Sequence, residues 1–302
     1  MKQFVRTVLG DVPPSNLGVV LSHEHLIIDS PIVADLWPHI HLPSTTEAVA
    51  ELADCVRSGV GAVVDAMPIG SGGDVGRLAE ISVATRAHIV ATTGMHTAKY
   101  YPEDHWALTS SADELAKRFL QQVVTADGPR AGLLKVATAG SAPDIRERRL
   151  FEAAAATHIE VGVPLLTHCE EGLGGMDQIQ LLASLGVAPP RIALSHTDKV
   201  ADLSYHRDLM ETGALLCLDQ GLREPDRTAV LMIRLFGLGF GSQLLIGTDA
   251  ARRSLWSTLG GSPGIAWIHG GFVDLLLEGG LSREDVDRVF VSNPARWLTF
   301  SD

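Results

Sequence analysis

The sequence predicts an α/β protein, a (β/α)8 barrel of the TIM type forming one domain over 1–302 with a short N-terminal hairpin. Three observations carry the prediction. Short runs of about four to eight residues are almost continuously apolar rather than alternating, which is the pattern of parallel strands buried on both faces. Longer stretches with helical signals separate these runs, and eight such pairs are what a closed barrel requires. No shift in composition marks a linker. A doubly wound open sheet is the alternative, but the first apolar run is not followed by the glycine-rich phosphate loop that such folds carry.

Residues 3–16, with the apolar QFVRTVL and then Gly10, Pro13 and Pro14, read as a small hairpin or lid over one end of the fold. The strand candidates follow as GVVLS (18–22), GAVVDA (61–66), HIVATT (88–93), GLLKVA (132–137), VPLLTH (163–168), RIALSH (191–196), ALLCLD (214–219) and QLLIGTD (243–249). Between them, Thr45-Thr46 precedes an apolar period from Glu47 as a helix N-cap, and Ser110-Ser111 opens a helix through Val124. Asp144 to Glu160 is a third helix, with apolar positions at Ile145, Leu150, Phe151, Ala154 and Ala155. Further helices are expected over 176–185, 203–211, 226–236, 265–277 and 283–289, with Asn293-Pro294 leading into a terminal turn.

The bulk properties narrow the function. The chain is 46% hydrophobic and 20% charged, with net charge −12 and a pI near 5.4. No basic run tracks a phosphate backbone, so nucleic acid and anionic membrane surfaces are disfavoured as partners; a small-molecule substrate is expected. The opening MKQFVRTVLG lacks a signal peptide's apolar segment, and Cys55, Cys169 and Cys217 are odd in number and widely spaced. Both features predict a cytoplasmic protein with free thiols.

The chemistry begins at Leu21-Ser22-His23-Glu24-His25. Side chains two apart on a strand share a face, so His23 and His25 can chelate one divalent metal while Glu24 points away. In a barrel of this kind, reactive groups gather at the C-terminal strand ends. The corresponding positions here hold Lys135 on strand four, His168 on strand five, His196 on strand six and Asp249 on strand eight. Their joint occurrence reads as a metal site. Lys135 sits inside the apolar Leu133-Leu134-Lys135-Val136-Ala137, where burying an ammonium is costly. A neutral amine there can add carbon dioxide, giving a carbamate with two oxygens to bridge two ions. Pairing of Lys135 with Asp249 is the other reading.

The order HxH, Lys, His, His, Asp resembles the amidohydrolase superfamily, and within it the phosphotriesterase-like family. The resemblance runs through LSHEHL, LLKVATAG, LLTHCEEG, ALSHTDK with ADLSY, IGTDAARRS and SNPARWL, and so spans nearly the whole chain. It implies two divalent ions, usually zinc. His23, His25 and Asp249 would hold the more buried ion, His168 and His196 the other, and N6-carboxylysine at Lys135 would bridge them. It also implies a homodimer and a hydrolytic mechanism, in which a metal-bridging hydroxide attacks and Asp249 accepts and passes on its proton.

The family's hydrolases act on lactones, phosphotriesters or carboxylic esters. Two departures weaken a match to its acyl-homoserine-lactone branch. That branch has a Tyr where this chain has Thr93-Gly94-Met95-His96, and an Arg after the strand-seven Asp where this chain has Asp219-Gln220. Arg223, Arg252 and Arg253 on neighbouring mouth loops point instead to an anionic substrate group. His96, Lys99, Tyr100 and Tyr101 are candidate pocket walls, and Cys169 is assigned to packing. The leading expectation is a lactonase for a polar, anionic or sugar-derived lactone. The alternatives are a phosphotriesterase, carboxylesterase or N-acyl amidase, or a metal-stabilised barrel that binds a ligand without turnover.

Overall fold

A computed structural model describes residues 3–125 and 127–300, which leaves the first two residues of the opening MKQFVRTVLG outside it. The apolar runs form a single eight-stranded parallel sheet in the order of the chain. Its strands are β3 (Val19–Glu24), β4 (Val60–Asp65), β5 (His88–Gly94), β6 (Ala131–Thr138), β7 (Leu165–Cys169), β8 (Ile192–Ser195), β9 (Leu215–Leu218) and β10 (Leu244–Ile246). Most of their residues are buried on both faces, as near-continuous apolar runs require.

The circle nearly closes between β10 and β3. Thr248 N and Asp249 N donate to His23 O at 3.1 and 2.9 Å. Gly247 permits this approach, because a Cβ there would stand 2.6 Å from His23 N. Glu24 joins the seam from the outside, its Oε1 accepting from Thr248 N at 2.8 Å and its Oε2 bonded to the Thr248 hydroxyl. Burial pushes the Glu24 carboxyl up to about 8 against these bonds.

The barrel interior is filled by Val20, Ala62, Val64, Val90, Leu133, Leu166, Ala193, Leu215, Cys217 and Leu245. The preamble is the expected hairpin, β1 (Val5–Thr7) against β2 (Gly10–Val12), and it plugs the N-terminal end of the barrel. Val5 packs with Trp297 and Leu298 among those interior residues, and Val8 N donates to Ile89 O at 2.9 Å. The hairpin is therefore a floor, at the end opposite the chemistry.

The outer layer contains α1 (Pro31–Leu36), α2 (Thr45–Arg57), α3 (Val75–Thr85), α4 (Trp106–Thr109), α5 (Ala112–Val124) and α6 (Ile145–Val161). It continues with α7 (Gly175–Ser184), α8 (Leu203–Glu211), α9 (Pro225–Gly237), α10 (Gly271–Glu278), α11 (Arg283–Asp287) and α12 (Asn293–Leu298). Several details differ from expectation. The N-cap of α2 is Ser44, whose hydroxyl accepts from Glu47 N at 3.2 Å, rather than Thr45 or Thr46. Helix α3, capped by Asp74, was not anticipated. Its start lies behind a Gly-Ser loop that masks the helical period. Ile145, expected to face the core, is 83% exposed because it occupies the first turn beside the Asp144 cap. The last described helix is α12, with Pro294 in its first turn, where a missing N–H costs nothing. Among the described residues no helix is long and apolar enough to cross a membrane.

Candidate metal centre

The predicted ligand residues converge at the C-terminal mouth because three local irregularities turn them inward. On β3, Leu21 pairs with Val63 but Glu24 pairs with Asp65, so β3 carries one extra residue between these pairs. Strict alternation from the inward Val20 would send His23 outward; the bulge re-aims it. His196 follows β8 with φ 68°, and Asp249 follows β10 with φ 46°. Both stand in the left-handed region, an unfavourable backbone for a residue with a Cβ and a common feature of sites where side-chain direction matters. Lys135 needs no such device, since it lies two residues beyond the inward Leu133 on the fully buried β6.

Distances define the cluster. Lys135 Nζ is 3.2 Å from His23 Nε2, and Asp249 Oδ1 is 3.2 Å from His25 Nε2 and 3.8 Å from His23 Nε2. His196 Nε2 is 2.8 Å from His168 Nδ1. Donor atoms of His23, His196 and Asp249 all lie within 4.8 Å of one another. All six residues are one group in space.

Asp219, the aspartate that ends the seventh strand run and is not among the predicted ligands, organises two of the imidazoles. Its Oδ2 is 3.0 Å from His23 Nδ1 and its Oδ1 is 2.9 Å from His196 Nδ1, and it also accepts from His196 N at 3.0 Å. Asp198 braces it from behind, accepting from Asp219 N and Gln220 N at 2.9 and 2.8 Å. Glu170 Oε2, likewise missed, is 2.7 Å from His168 Nε2. The signals were present as THCEE and CLDQ, but nothing in the sequence says which imidazole each carboxylate meets.

Burial governs the charges. It lowers His23 to about 3, assisted by the Lys135 charge, and lowers His168 to about 3, assisted by His196. Burial likewise brings Lys135 down to about 8 against the pull of Asp249 and Asp219. For Asp249 burial acts upward, but Arg223 and the His25 hydrogen bond outweigh it and hold the carboxyl well below the usual range. Asp219 is held low in the same way by His196 and His23.

A cleft of about 310 Å³ opens above this cluster. His96, Lys99, Tyr100, Arg223 and Arg252 line it, as predicted, together with Trp37, Met67, Lys199 and Gln220, which were not singled out. Arg223 reaches Asp249 Oδ2 at 3.3 Å and Thr248 O at 3.1 Å. The His96 ring sits between Tyr100, which it meets edge-on (4.5 Å between centroids), and His168, to which it is tilted (4.7 Å). The structure does not bring Tyr101 or Arg253 to the cleft. Tyr101 is buried behind it, its hydroxyl accepting from His96 N at 2.9 Å. Arg253 turns away and donates to His41 O at 3.0 Å, tying two mouth loops together. Cys169 is buried and packs, as expected. A larger groove of about 570 Å³ lies at the floor, around Phe4, Arg6, His158 and Phe300, far from these groups.

The donor set fits divalent metal. The carboxylates of Asp219 and Glu170 take the protons of His196 Nδ1 and His168 Nε2, so the two nitrogens facing each other at 2.8 Å are both left with lone pairs. Facing lone pairs at that separation are held only by positive charge, from a proton or a cation. Among the described residues His25 Nδ1 is buried without a partner, while its Nε2 faces Asp249. The outer nitrogens of His23, His168 and His196 rest on carboxylates, the arrangement that orients histidine ligands.

A (β/α)8 barrel carrying four histidines, a buried lysine and a carboxylate at its mouth defines a class of barrel hydrolase. The phosphotriesterase family model matches residues 3–298. A phospho-furanose lactonase of Mycoplasmopsis agalactiae is 31% identical over 330 residues, covering 99% of this chain and 92% of that protein. An amidohydrolase from Mycoplasma synoviae matches the structure with TM-score 0.94 and 26% identity, over 100% of this chain and 93% of that one. A lactonase from Listeria monocytogenes matches with TM-score 0.92 and 26% identity, over 99% and 100% of the two chains. The chain belongs to the phosphotriesterase family, a family of hydrolases.

Proposed function

We propose that this protein is a two-zinc lactonase that opens a sugar-derived lactone bearing an anionic group, a phosphorylated furanose lactone being the favoured case. The observation that carries the reading is the charge of the cleft wall. Lys99, Lys199, Arg223 and Arg252 line it against two carboxylates, Glu170 and Asp249, which pair with Lys99 and Arg223, in a chain whose net charge is −12. Concentrated cations on an acidic protein mark recognition of an anion. The Mycoplasmopsis relative, named a phospho-furanose lactonase, supports the same substrate class.

His23, His25 and Asp249 would hold one ion and His168 and His196 the other, with Lys135 as N6-carboxylysine between them. When bound, the ions supply Lewis acidity and acidify water towards neutral pH. The chain's residues do the rest. The amine of Lys135, brought to about 8, is within reach of its neutral form at working pH and so can add carbon dioxide with release of a proton. Asp249, ionised throughout the working range, takes the proton of the attacking water and, being a weak base, releases it to the departing ring alkoxide. Arg223 fixes the rotamer of Asp249 through Oδ2, leaving Oδ1 for the histidine side. Arg252 and Lys199 face the cleft, where the anionic tail would sit. Three buried free thiols suit a reducing cytoplasm.

A panel of phosphorylated and unphosphorylated furanose lactones, aryl esters, N-acyl amides and phosphotriesters, followed by proton release, tests the reading. Ring opening of the phosphorylated lactone should exceed every other class by orders of magnitude in kcat/KM. Faster ester, amide or phosphotriester cleavage would transfer the assignment to that class.

A further inference from the structure

Among the described residues Glu170 is the one carboxylate in contact with His168, and its placement is built rather than incidental. Its Oε2 takes the His168 Nε2 proton at 2.7 Å, while Lys99 Nζ, from the loop after β5, sits 3.3 Å from Oε1. The following backbone is forced. Glu171 has φ 50°, in the left-handed region. Gly172 has φ 79°, and a Cβ there would stand 2.6 Å from His196 O. The Tyr205 hydroxyl then pins the turn, donating to Gly172 O at 2.8 Å. A strained turn locked onto the end of β8 thus presents the Glu170 carboxyl to the outer nitrogen of His168.

His168 is therefore anchored differently from His23 and His196. Asp219, with a side chain 0% exposed, fixes the outer nitrogens of His23 and His196 together. His168 depends on Glu170, which is 29% exposed, lines the cleft and is shared with Lys99. We infer that Glu170 is a positioning residue that fixes the tautomer and direction of His168, and so sets the affinity of the cleft-side ion without affecting the buried one. The inference rests on the two-ion reading above. It assigns Glu170 no contact with substrate or reacting atoms. A carboxylate on the far nitrogen of a histidine ligand is worth about 10–100-fold in metal affinity.

Zinc titration of the chelated full chain, read by competition with a chromophoric chelator, tests this in wild type, Glu170→Ala and Glu170→Gln. Wild type should take up two equivalents. Glu170→Ala should keep the first at wild-type affinity and bind the second about 10–100-fold more weakly. Glu170→Gln should recover most of that loss, because its amide oxygen still accepts from Nε2–H. The melting temperature of each chelated variant should match the chelated wild type. Two wild-type-like equivalents in Glu170→Ala, or equal weakening of both, would overturn the inference. A wild-type chain binding fewer than two equivalents would overturn the two-ion reading itself, and the inference with it.

Discussion

His196 Nε2 and His168 Nδ1 face each other at 2.8 Å, and the proton of each ring is engaged on its other side. Facing lone pairs at that distance need a proton or a cation between them, and two metal donors aimed at common space meet that need. Asp219 and Glu170 impose it, and the strongest expectations concern these outer partners and Asp249.

Asp219→Asn leaves the shape intact but offers one acceptor oxygen where two imidazole N–H groups need one each. One of the two rings must then turn or change tautomer. Metal affinity should fall by about 10–100-fold and kcat/KM with it. Metal analysis after dialysis against a graded chelator checks the first, and steady-state kinetics the second.

Asp249→Asn should separate binding from turnover. The amide oxygen can still face the histidines, but it cannot accept a proton, so kcat should fall by about 10²–10⁴ while bound metal stays largely intact. Turnover near wild type in a metal-replete Asp249→Asn sample would remove Asp249 from the proton path.

Arg252 and Arg253 are adjacent in sequence and should differ in effect. Arg252 lines the cleft, whereas Arg253 bonds His41 O away from it. Arg252→Ala should raise KM for a phosphorylated lactone by about 10–100-fold, the loss of one or two charge-assisted bonds. Its effect on the unphosphorylated lactone should stay within about threefold. Arg253→Ala should change both by only a few fold, since the loop tie is one hydrogen bond.

Glu24 gives a stability test with a defined sign. Its carboxyl is raised in the fold from 4.5 to about 8, so the folded chain holds a proton that the unfolded chain releases between those values. The stability associated with that proton is complete below about 4.5 and is lost as pH rises through about 8. Glu24→Gln keeps an acceptor for Thr248 N and, without any charge, places an amide N–H where the Thr248 hydroxyl now donates, so that the hydroxyl becomes the acceptor. Between pH 6 and 9 the melting temperature should fall by a few degrees less in Glu24→Gln than in wild type. Equal falls would show that the seam between β3 and β10 is not the source of alkaline loss.

Much of this was legible in the sequence, and what was missed has a common cause. Continuous apolar runs reveal buried parallel strands, because both faces of each strand must be covered. A lysine inside one of them, and histidines or an aspartate ending others, mark the mouth because reactive groups of such a barrel gather at the C-terminal strand ends. The anchoring of the ligands was not legible. The bulge that turns His23 inward and the left-handed backbone at His196 and Asp249 depend on neighbouring strands. Asp219 and Glu170 read as ordinary acids until folding brings them to particular ring nitrogens. Arg253 and Tyr101 failed to reach the cleft for the same reason. A residue adjacent to a site in sequence can be turned to the other side of its loop, and direction is set by tertiary contacts.

The most direct measurement is zinc content and lactone ring opening followed in the same sample through chelation and stepwise reconstitution. The account predicts that the chelated protein does not open a phosphorylated furanose lactone, and that activity appears with the second equivalent of zinc. Full ring opening by protein stripped of metal would contradict it.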